Sequence, residues 1–404
     1  MSAGIVIVGG GQAASSAAAK ARELDADVPI TMICGEPVLP YQRPPLSKKY
    51  LSGEMSLERL ILRPQEWFDE HSVIVQTGIW ANSIDRTAKT ITLGDGETVA
   101  YDKLLLSTGS HVRKLPASIG GELDGVHCLR STIHADGLAP SLTAGQNLVV
   151  IGGGYIGLEA AAIANAAGLN VTVVEMAERI LQRVAAPETS DYFRALHTGH
   201  GVKILEGIGL KALIETNGKA SGAELSDGSV LPADCVLCGI GILPTVKIAE
   251  EAGLTIDNGI FVDSHCRTSD RAIYAVGDCA SFEFKGSSIR LESVPNAIHQ
   301  AETAVRNMLG QDVAYEATPW FWSDQYDVKL QIAGLNTGYT STVVRPGKRE
   351  AAQSVWYYRD DQLLAVDAMN DAPAFMMARK IIEAGKTVPS DDAADPTTNL
   401  KDFF

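Results

Sequence analysis

The sequence predicts an α/β fold with two separate βαβ units, each built on its own parallel sheet, followed by a C-terminal α+β domain. Three observations predict it. The stretch I-V-I-V-G-G-G-Q-A-A fills residues 5–14, and L-V-V-I-G-G-G-Y-I-G fills residues 148–157. Each is a short apolar run that stops at three glycines and continues into an Ala-rich segment with helical spacing. After residue 319 the texture changes to alternating β-type segments and one helical run, the pattern of an α+β domain.

The glycine runs carry the chemistry. A strand must turn sharply into a helix there, and glycines such as Gly9, Gly11, Gly152 and Gly154 let the backbone approach a pyrophosphate. Helix N-terminal N–H groups can then hold it. Two such Rossmann-like motifs on one chain imply two bound nucleotides, and the usual reason is electron transfer between them. Each has an acidic partner: Glu36 closes the second apolar run, and Glu175 closes residues 171–174. A carboxylate at that strand end accepts from ribose hydroxyls and repels a 2′-phosphate. Glu175 therefore favours NADH over NADPH, with Arg179 close enough in sequence to work against it.

Residues 1–37 form the first βαβ unit, and the proline-punctuated residues 38–60 read as a loop leading into a helix. Residues 73–84 and 90–93, with the turn Gly94-Asp95-Gly96, are expected to form an antiparallel insertion. Residues 101–107 make a strand that exits at Thr108-Gly109. The second unit starts near residue 147, and a further alternating region covers residues 202–231. The run T-S-D-R-A-I-Y-A-V-G-D, residues 268–278, returns the chain to the first domain. The boundaries that follow are 1–109 with 243–319 for the first domain, 110–242 for the second and 320–404 for the third. In the third, residues 320–335 and 354–367 are β-type and 372–384 helical. The acidic tail from Pro389 reads as loosely held.

The 404 residues carry a formal charge of −15, which argues against nucleic acid and anionic membranes as main partners. An acidic protein partner would need a local basic patch, with Arg290, Arg306, Lys329, Arg379 and Lys380 as candidates. No apolar run reaches the length of a membrane span; the one over residues 160–174 is interrupted by Asn165 and Asn170. The N-terminus enters a strand at once, with no basic region or cleavage site, so a cytoplasmic location is expected. The six cysteines show no secreted-scaffold spacing. Cys235 and Cys238 form C-x-x-C, the spacing of a redox or metal pair. Their context, A-D-C-V-L-C-G-I-G, instead reads as a buried strand whose residues three apart face opposite ways. The eight histidines are scattered; His197 and His200 read as a polar helix end, and no metal site is expected.

In this order the motifs resemble the FAD- and NAD-linked reductases of the glutathione-reductase structural class, and most of all the putidaredoxin-reductase type. The resemblance rests on R-P-P-L-S-K at 43–48, V-V-I-G-G-G-Y-I-G-L-E at 149–159 and G-I-G-I-L-P at 239–244. It extends to A-V-G-D-C-A at 275–280, E-S-V-P-N-A at 292–297 and P-W-F-W-S-D-Q at 319–325. It implies that the first domain binds FAD and the second NADH. Gly9, Gly11, Ala13, Ala14 and Glu36 would hold the adenosine half of FAD. Arg43, Lys48, Ala81, Thr108, Gly109, Arg130, Asp278 and Val294 would meet the rest of it. Gly152, Gly154, Tyr155, Ile156, Glu175, Arg183, Gly241 and Glu292 would line the NADH path. The first-domain exit departs slightly from the usual A-T-G, with Ser107 in the alanine's place. Residues 39–53, where flavin disulfide reductases commonly carry redox cysteines, contain none.

The implied activity is hydride transfer from NADH to FAD, then single electrons to an acidic, transiently bound [2Fe–2S] ferredoxin serving a monooxygenase or dioxygenase. Such a transfer needs no protein nucleophile, only stacked rings, exclusion of water and a tuned potential. Lys48 is the expected positive group at the flavin, with Glu159 as its counter-charge, and Trp322 the expected shield on the electron-exit side. Trp320 and Trp322 should share one strand face, opposite Phe321. A rubredoxin reductase, a monodehydroascorbate-type reductase and an NADH oxidase stay open as alternatives. So does a non-catalytic, apoptosis-inducing-factor-like NADH switch.

Overall fold

The strand Ile5–Val8 buries all four of its side chains and lies at the centre of a parallel sheet. The computed structural model describes residues 3–404, so Met1 and Ser2 of the expected first domain lie outside it. The described chain divides into two units, the first comprising residues up to Arg43, 56–111 and 242–319. Its sheet runs in the order Ile273–Ala275, Lys103–Leu106, Ile5–Val8, Ile30–Cys34, Val73–Thr77. All four pairings are parallel, with Ile5 opposite both Ile30 and Lys103. The helix Gln12–Leu24 presents Ala13, Ala14, Ala17, Ala18 and Ala21 to a core shared with Ala301, Ala304 and Val305 of the helix Val294–Met308. Small side chains at this contact let the two helix axes approach closely.

The other side of that sheet is covered by the antiparallel strands Ala81–Asp85, Thr90–Leu93 and Thr98–Ala100, through Ile84, Ile91 and Leu93. One expectation is corrected here: residues 73–77 do not belong to this insertion. Val73–Thr77 is instead the edge of the parallel sheet, paired with Ile30–Cys34 after the helix Gln65–Glu70. An edge strand is buried on one side only, so its alternation imitates that of an antiparallel ribbon.

The second unit comprises residues 44–55, 112–241 and 320–404. Its parallel sheet runs Lys203–Glu206, Asn170–Glu175, Asn147–Ile151, Cys235–Cys238, Val126–His127. The helices Tyr155–Ala166 and Pro187–Gly199 accompany it, and Leu210–Thr216, Lys219–Leu225 and Val230–Pro232 form an antiparallel sheet. In the same unit an antiparallel five-stranded sheet runs Trp320–Gln325, Val328–Gly334, Gln362–Met369, Gln353–Arg359, Ser341–Pro346. The helix Ala372–Glu383 packs on it through Phe375, Ala378 and Ile381.

The tail is a second correction. Residues from Pro389 onward are not loosely held: Ser390–Ala394 is helical, and Val388, Ala393 and Leu400 join the C-terminal core. The guanidinium of Arg345, itself 7% exposed, donates to the carbonyls of Asp392, Ala393, Asp395, Pro396 and Thr398. One cation thus fixes a segment whose acidic composition alone suggests disorder.

Candidate functional site

In the first unit, Gly9 has φ +139°, and a Cβ there would stand 2.2 Å from the Ser107 carbonyl oxygen, so only glycine fits. Gly11 caps the helix Gln12–Leu24 without a side-chain hydrogen bond, and open space lies where its Cβ would be. Ala13 and Ala14 follow in the buried first turn. Glu36 ends the loop side of the second strand, where it accepts from Arg43 Nη2 at 2.5 Å and from the Tyr41 hydroxyl at 2.6 Å. Burial opposes the Arg43 charge, but Tyr41, Glu36 and Asp278 together hold its pKa above the ordinary arginine value. Three expected residues, Glu36, Arg43 and Asp278, are thereby brought into one electrostatic group.

Around them, Ser110 donates to the Asp278 carboxylate at 2.9 Å, and Thr108 Oγ1 donates to the Thr245 carbonyl at 2.6 Å. Gly109, at φ +66°, accepts from the Thr245 N–H at 2.9 Å. Val294 opens its helix behind the N-cap Ser293, and Glu292 just before it pairs with Arg290 at 2.6 Å. Ala81 begins the antiparallel insertion opposite Leu93.

In the second unit the same construction recurs. Gly152 has φ +105°, and a Cβ there would meet the Gly239 carbonyl oxygen at 2.4 Å. Gly154 caps the helix Tyr155–Ala166 with no side-chain hydrogen bond and with open space in front of it. Glu175 accepts from the Gly153 N–H at 2.7 Å and from the Ala177 N–H at 2.8 Å, which ties the acidic strand end to the glycine loop. Ile156, in the first helical turn, is 46% exposed.

Arg179 is committed elsewhere, donating to Ser190 Oγ at 2.5 Å and to the Ala185 carbonyl at 2.7 Å. Arg183 is exposed, with Nη1 3.8 Å from the Cβ position of Gly241. Arg130 is half-buried between the strand Val126–His127 and the helix Thr132–Leu138.

Lys48 and Glu159 meet as the motifs suggest, Nζ to Oε2 at 2.8 Å, with the lysine 18% and the glutamate 2% exposed. A buried carboxylate needs all its lone pairs engaged. Ser47 supplies one donor, 2.5 Å to Oε2, and Ser323 another, 2.6 Å to Oε1. Gln325 Nε2 donates to Ser323 Oγ at 3.3 Å, and its Oε1 faces His197 Nε2 at 2.8 Å. Burial pushes the His197 imidazole pKa down, so it serves this chain as a neutral donor.

Ser47, Ser323, Gln325 and His197 were not among the expected site residues. Three of them stand inside the motifs R-P-P-L-S-K and P-W-F-W-S-D-Q, which was the available signal.

Trp320 and Trp322 do share a face, their rings 5.6 Å apart, while Phe321 packs on Tyr155 at 5.1 Å. The Tyr155 hydroxyl is buried without a hydrogen-bond partner, 155 being the first residue of the helix behind the second glycine loop. Among the described residues no group of three or more His, Cys, Asp or Glu side chains is placed to hold a metal ion.

The residues fit two dinucleotides by a direct test. Helices of 13 and 12 residues each begin at a glycine that makes no side-chain cap, with open space at its Cβ position, which leaves the helix start open to a phosphate. Each loop is also backed by a carboxylate at the neighbouring strand end. Paired sites of this kind define a flavin- and pyridine-nucleotide-handling class.

Residues 3–301 match the family described as pyridine nucleotide-disulphide oxidoreductase, and residues 320–404 match the reductase C-terminal family. The chain belongs to the pyridine nucleotide-disulphide oxidoreductase family, in its putidaredoxin-reductase-like group. It is 41% identical to rhodocoxin reductase of Rhodococcus erythropolis, covering 98% of this chain and 93% of that protein. It is 38% identical to putidaredoxin reductase of Pseudomonas putida, covering 99% and 96%. Among solved structures, a chain of the covalent putidaredoxin reductase–putidaredoxin complex superposes with a TM-score of 0.95 at 38% identity, covering 98% of this chain and 97% of that one.

Proposed function

We propose that the protein is an FAD-dependent NADH:ferredoxin reductase that passes single electrons to a [2Fe–2S] ferredoxin serving a monooxygenase or dioxygenase. The observation that carries the reading is the pair of open glycine loops on a chain similar over nearly its whole length to reductases of that kind. Bound FAD supplies the conversion between the electron pair of NADH and the single electrons an iron–sulfur protein accepts. In this reading residues 1–109 and 243–319 bind FAD, 110–242 bind NADH and 320–404 form the α+β domain.

The protein's own residues hold and orient. Gly9, Gly11, Ala13, Ala14 and the Gln12–Leu24 helix start would take the FAD pyrophosphate, with Glu36 at the adenosine ribose. Arg43, Ala81, Thr108, Gly109, Arg130, Asp278 and Val294 would enclose the remainder. Gly152, Gly154, Tyr155, Ile156, Glu175, Arg183, Gly241 and Glu292 would receive NADH. Lys48, fixed by Glu159, would place a positive charge at the flavin, and Trp322 would shield its exit side. Free cysteines throughout and an NADH substrate support a cytoplasmic location, where thiols stay reduced. Among the described residues no helix is long and apolar enough to cross a membrane.

The test is direct. The purified protein should release FAD on denaturation, and NADH consumption should become fast when a [2Fe–2S] ferredoxin is added. Release of FMN, or an NADH-reduced complex that persists with every one-electron acceptor, contradicts the reading; the latter outcome is that of an NADH-sensing switch.

A further inference from the structure

The C-x-x-C spacing points to the wrong partner for Cys238. Cys235 and Cys238 lie on one strand and face opposite ways: the Cys235 thiol donates to the Ser141 carbonyl, and the Cys238 thiol to the Arg113 carbonyl at 3.6 Å. The neighbouring parallel strand supplies a different thiol. Val236 pairs with Val126 and Leu237 with His127, so the register carried one residue further sets Cys238 beside Cys128. Adjacent strands lie roughly 4.8 Å apart, inside the roughly 4.4–6.8 Å Cα separation a disulfide requires. Both cysteines line one cavity of about 140 Å³, together with Lys114, Leu115, Val126 and His134. Cys128 is partly exposed.

We propose that Cys128 and Cys238 are a dithiol site that hydroperoxides oxidise to an intramolecular disulfide. Cys238 is the nucleophile. The neighbouring Cys128 thiol and the backbone at Ile240 and Leu115 favour its thiolate. These outweigh burial and bring its pKa below the ordinary thiol value. The same pairing keeps Cys128 protonated, its pKa pushed well up.

The thiolate attacks one peroxide oxygen. The O–O bond breaks, the other oxygen leaves as hydroxide and takes a proton to become water, and Cys238 becomes a sulfenic acid. Cys128 sulfur then attacks the Cys238 sulfur. The S–S bond forms, the S–O bond breaks, and the thiol proton leaves with the hydroxyl as a second water. Two electrons pass from the two sulfurs to the peroxide. The other cysteines lack this setting: burial raises Cys34 to about 12 and Cys235 to about 11, and pushes Cys266 and Cys279 up as well.

Holoenzyme is exposed to hydrogen peroxide near neutral pH, denatured in iodoacetamide, digested and mapped by mass spectrometry. The expected product is a Cys128–Cys238 linked peptide, lost when dithiothreitol precedes alkylation, with Cys34, Cys235, Cys266 and Cys279 recovered as alkylated thiols. In Cys128→Ser, Cys238 should advance to the sulfinic acid for want of a resolving thiol. Recovery of both Cys128 and Cys238 as alkylated thiols after peroxide overturns the proposal, as does a link from Cys238 to Cys235. The wild-type map decides the question even if the variant fails to fold.

Discussion

Ser323, on the first strand of the C-terminal sheet, donates to Glu159 Oε1 at 2.6 Å, on the carboxylate whose other oxygen receives Lys48 at 2.8 Å. The lysine's direction is therefore set from two sides: by the proline-rich segment that carries it and, through Glu159, by a strand 164 positions beyond that glutamate. A charge meant to act on a neighbouring ring is useful only if it cannot wander.

The two partners of Glu159 should separate in experiment. Ser323→Ala removes one hydrogen bond from a buried carboxylate and should cost about 1–3 kcal/mol of stability, read by thermal or urea unfolding, with NADH-driven flavin reduction nearly intact. Glu159→Gln keeps the shape but leaves Lys48 without its counter-charge, and should slow flavin reduction as well. Equal kinetics in the two variants would mean that the pair is structural only.

Glu175 faces a test of cofactor choice. With Arg179 committed to Ser190 and Ala185, the Glu175 carboxylate is the charge that would meet the ribose in the proposed NADH site. The wild type should prefer NADH over NADPH by at least about tenfold in kcat/KM, roughly 1.4 kcal/mol. Glu175→Ala should narrow that preference, chiefly by improving NADPH. Because Glu175 also holds the Gly153 N–H, the variant should raise the KM for NADH too. Equal use of both cofactors by the wild type would assign control to the exposed Arg183.

Much of this was legible in the sequence. The glycine runs give both loops because close backbone approach leaves few alternatives, as Gly9 against Ser107 and Gly152 against Gly239 show. What escaped was set by distant partners. Ser341–Pro346 is an edge strand with little alternation, and Pro187–Gly199 is a helix that the linear reading marked only at its histidine end. The tail looked disordered because no local pattern announces Arg345, which lies some fifty positions from the carbonyls it binds. Cys238 shows the same limit, since C-x-x-C spacing suggests Cys235 whereas strand register supplies Cys128.

Arg345 gives the second stability prediction. Arg345→Met strips the five carbonyls it serves of a buried donor and should destabilise by about 2–4 kcal/mol. Limited proteolysis should then cut after residue 388 well before the rest of the chain is attacked. A wild-type digestion pattern would show that the apolar contacts of Val388, Ala393 and Leu400 suffice to hold the tail.

Asp367 predicts a pH dependence. It is 1% exposed and accepts from Tyr357 and Thr189; burial raises its pKa from an ordinary 3.8 to about 6, although both hydrogen bonds act the other way. A carboxyl whose folded pKa lies above its unfolded one is protonated more in the folded state. Its contribution to stability is thus fullest below the unfolded value and declines as pH rises from about 4 to about 6, by on the order of 3 kcal/mol. Asp367→Asn should flatten this part of the stability profile measured by urea unfolding. An unchanged slope between those pH values would show that the carboxyl titrates normally.

Trp322 tests the electron-exit side. Its ring is half-buried, 5.6 Å from Trp320, over whose ring the Arg379 guanidinium sits at 5.3 Å. Trp320 also leans on Phe375 of the C-terminal helix, so Trp320 carries the packing that a tryptophan pair on a strand ordinarily provides. Among the described residues the aromatic neighbours of Trp322 are Trp320 and the adjacent Phe321. Trp322→Ala should therefore cost less stability than Trp320→Ala, because Trp320 packs against the buried cluster of Ala333, Ala368 and Phe375. In stopped-flow experiments the Trp322 variant should keep its NADH affinity and alter the rate at which a [2Fe–2S] ferredoxin reoxidises the flavin. Wild-type rates in both half-reactions, with full FAD content, would remove Trp322 from the site. A Trp322 variant that unfolds as readily as the Trp320 variant would return both rings to the core.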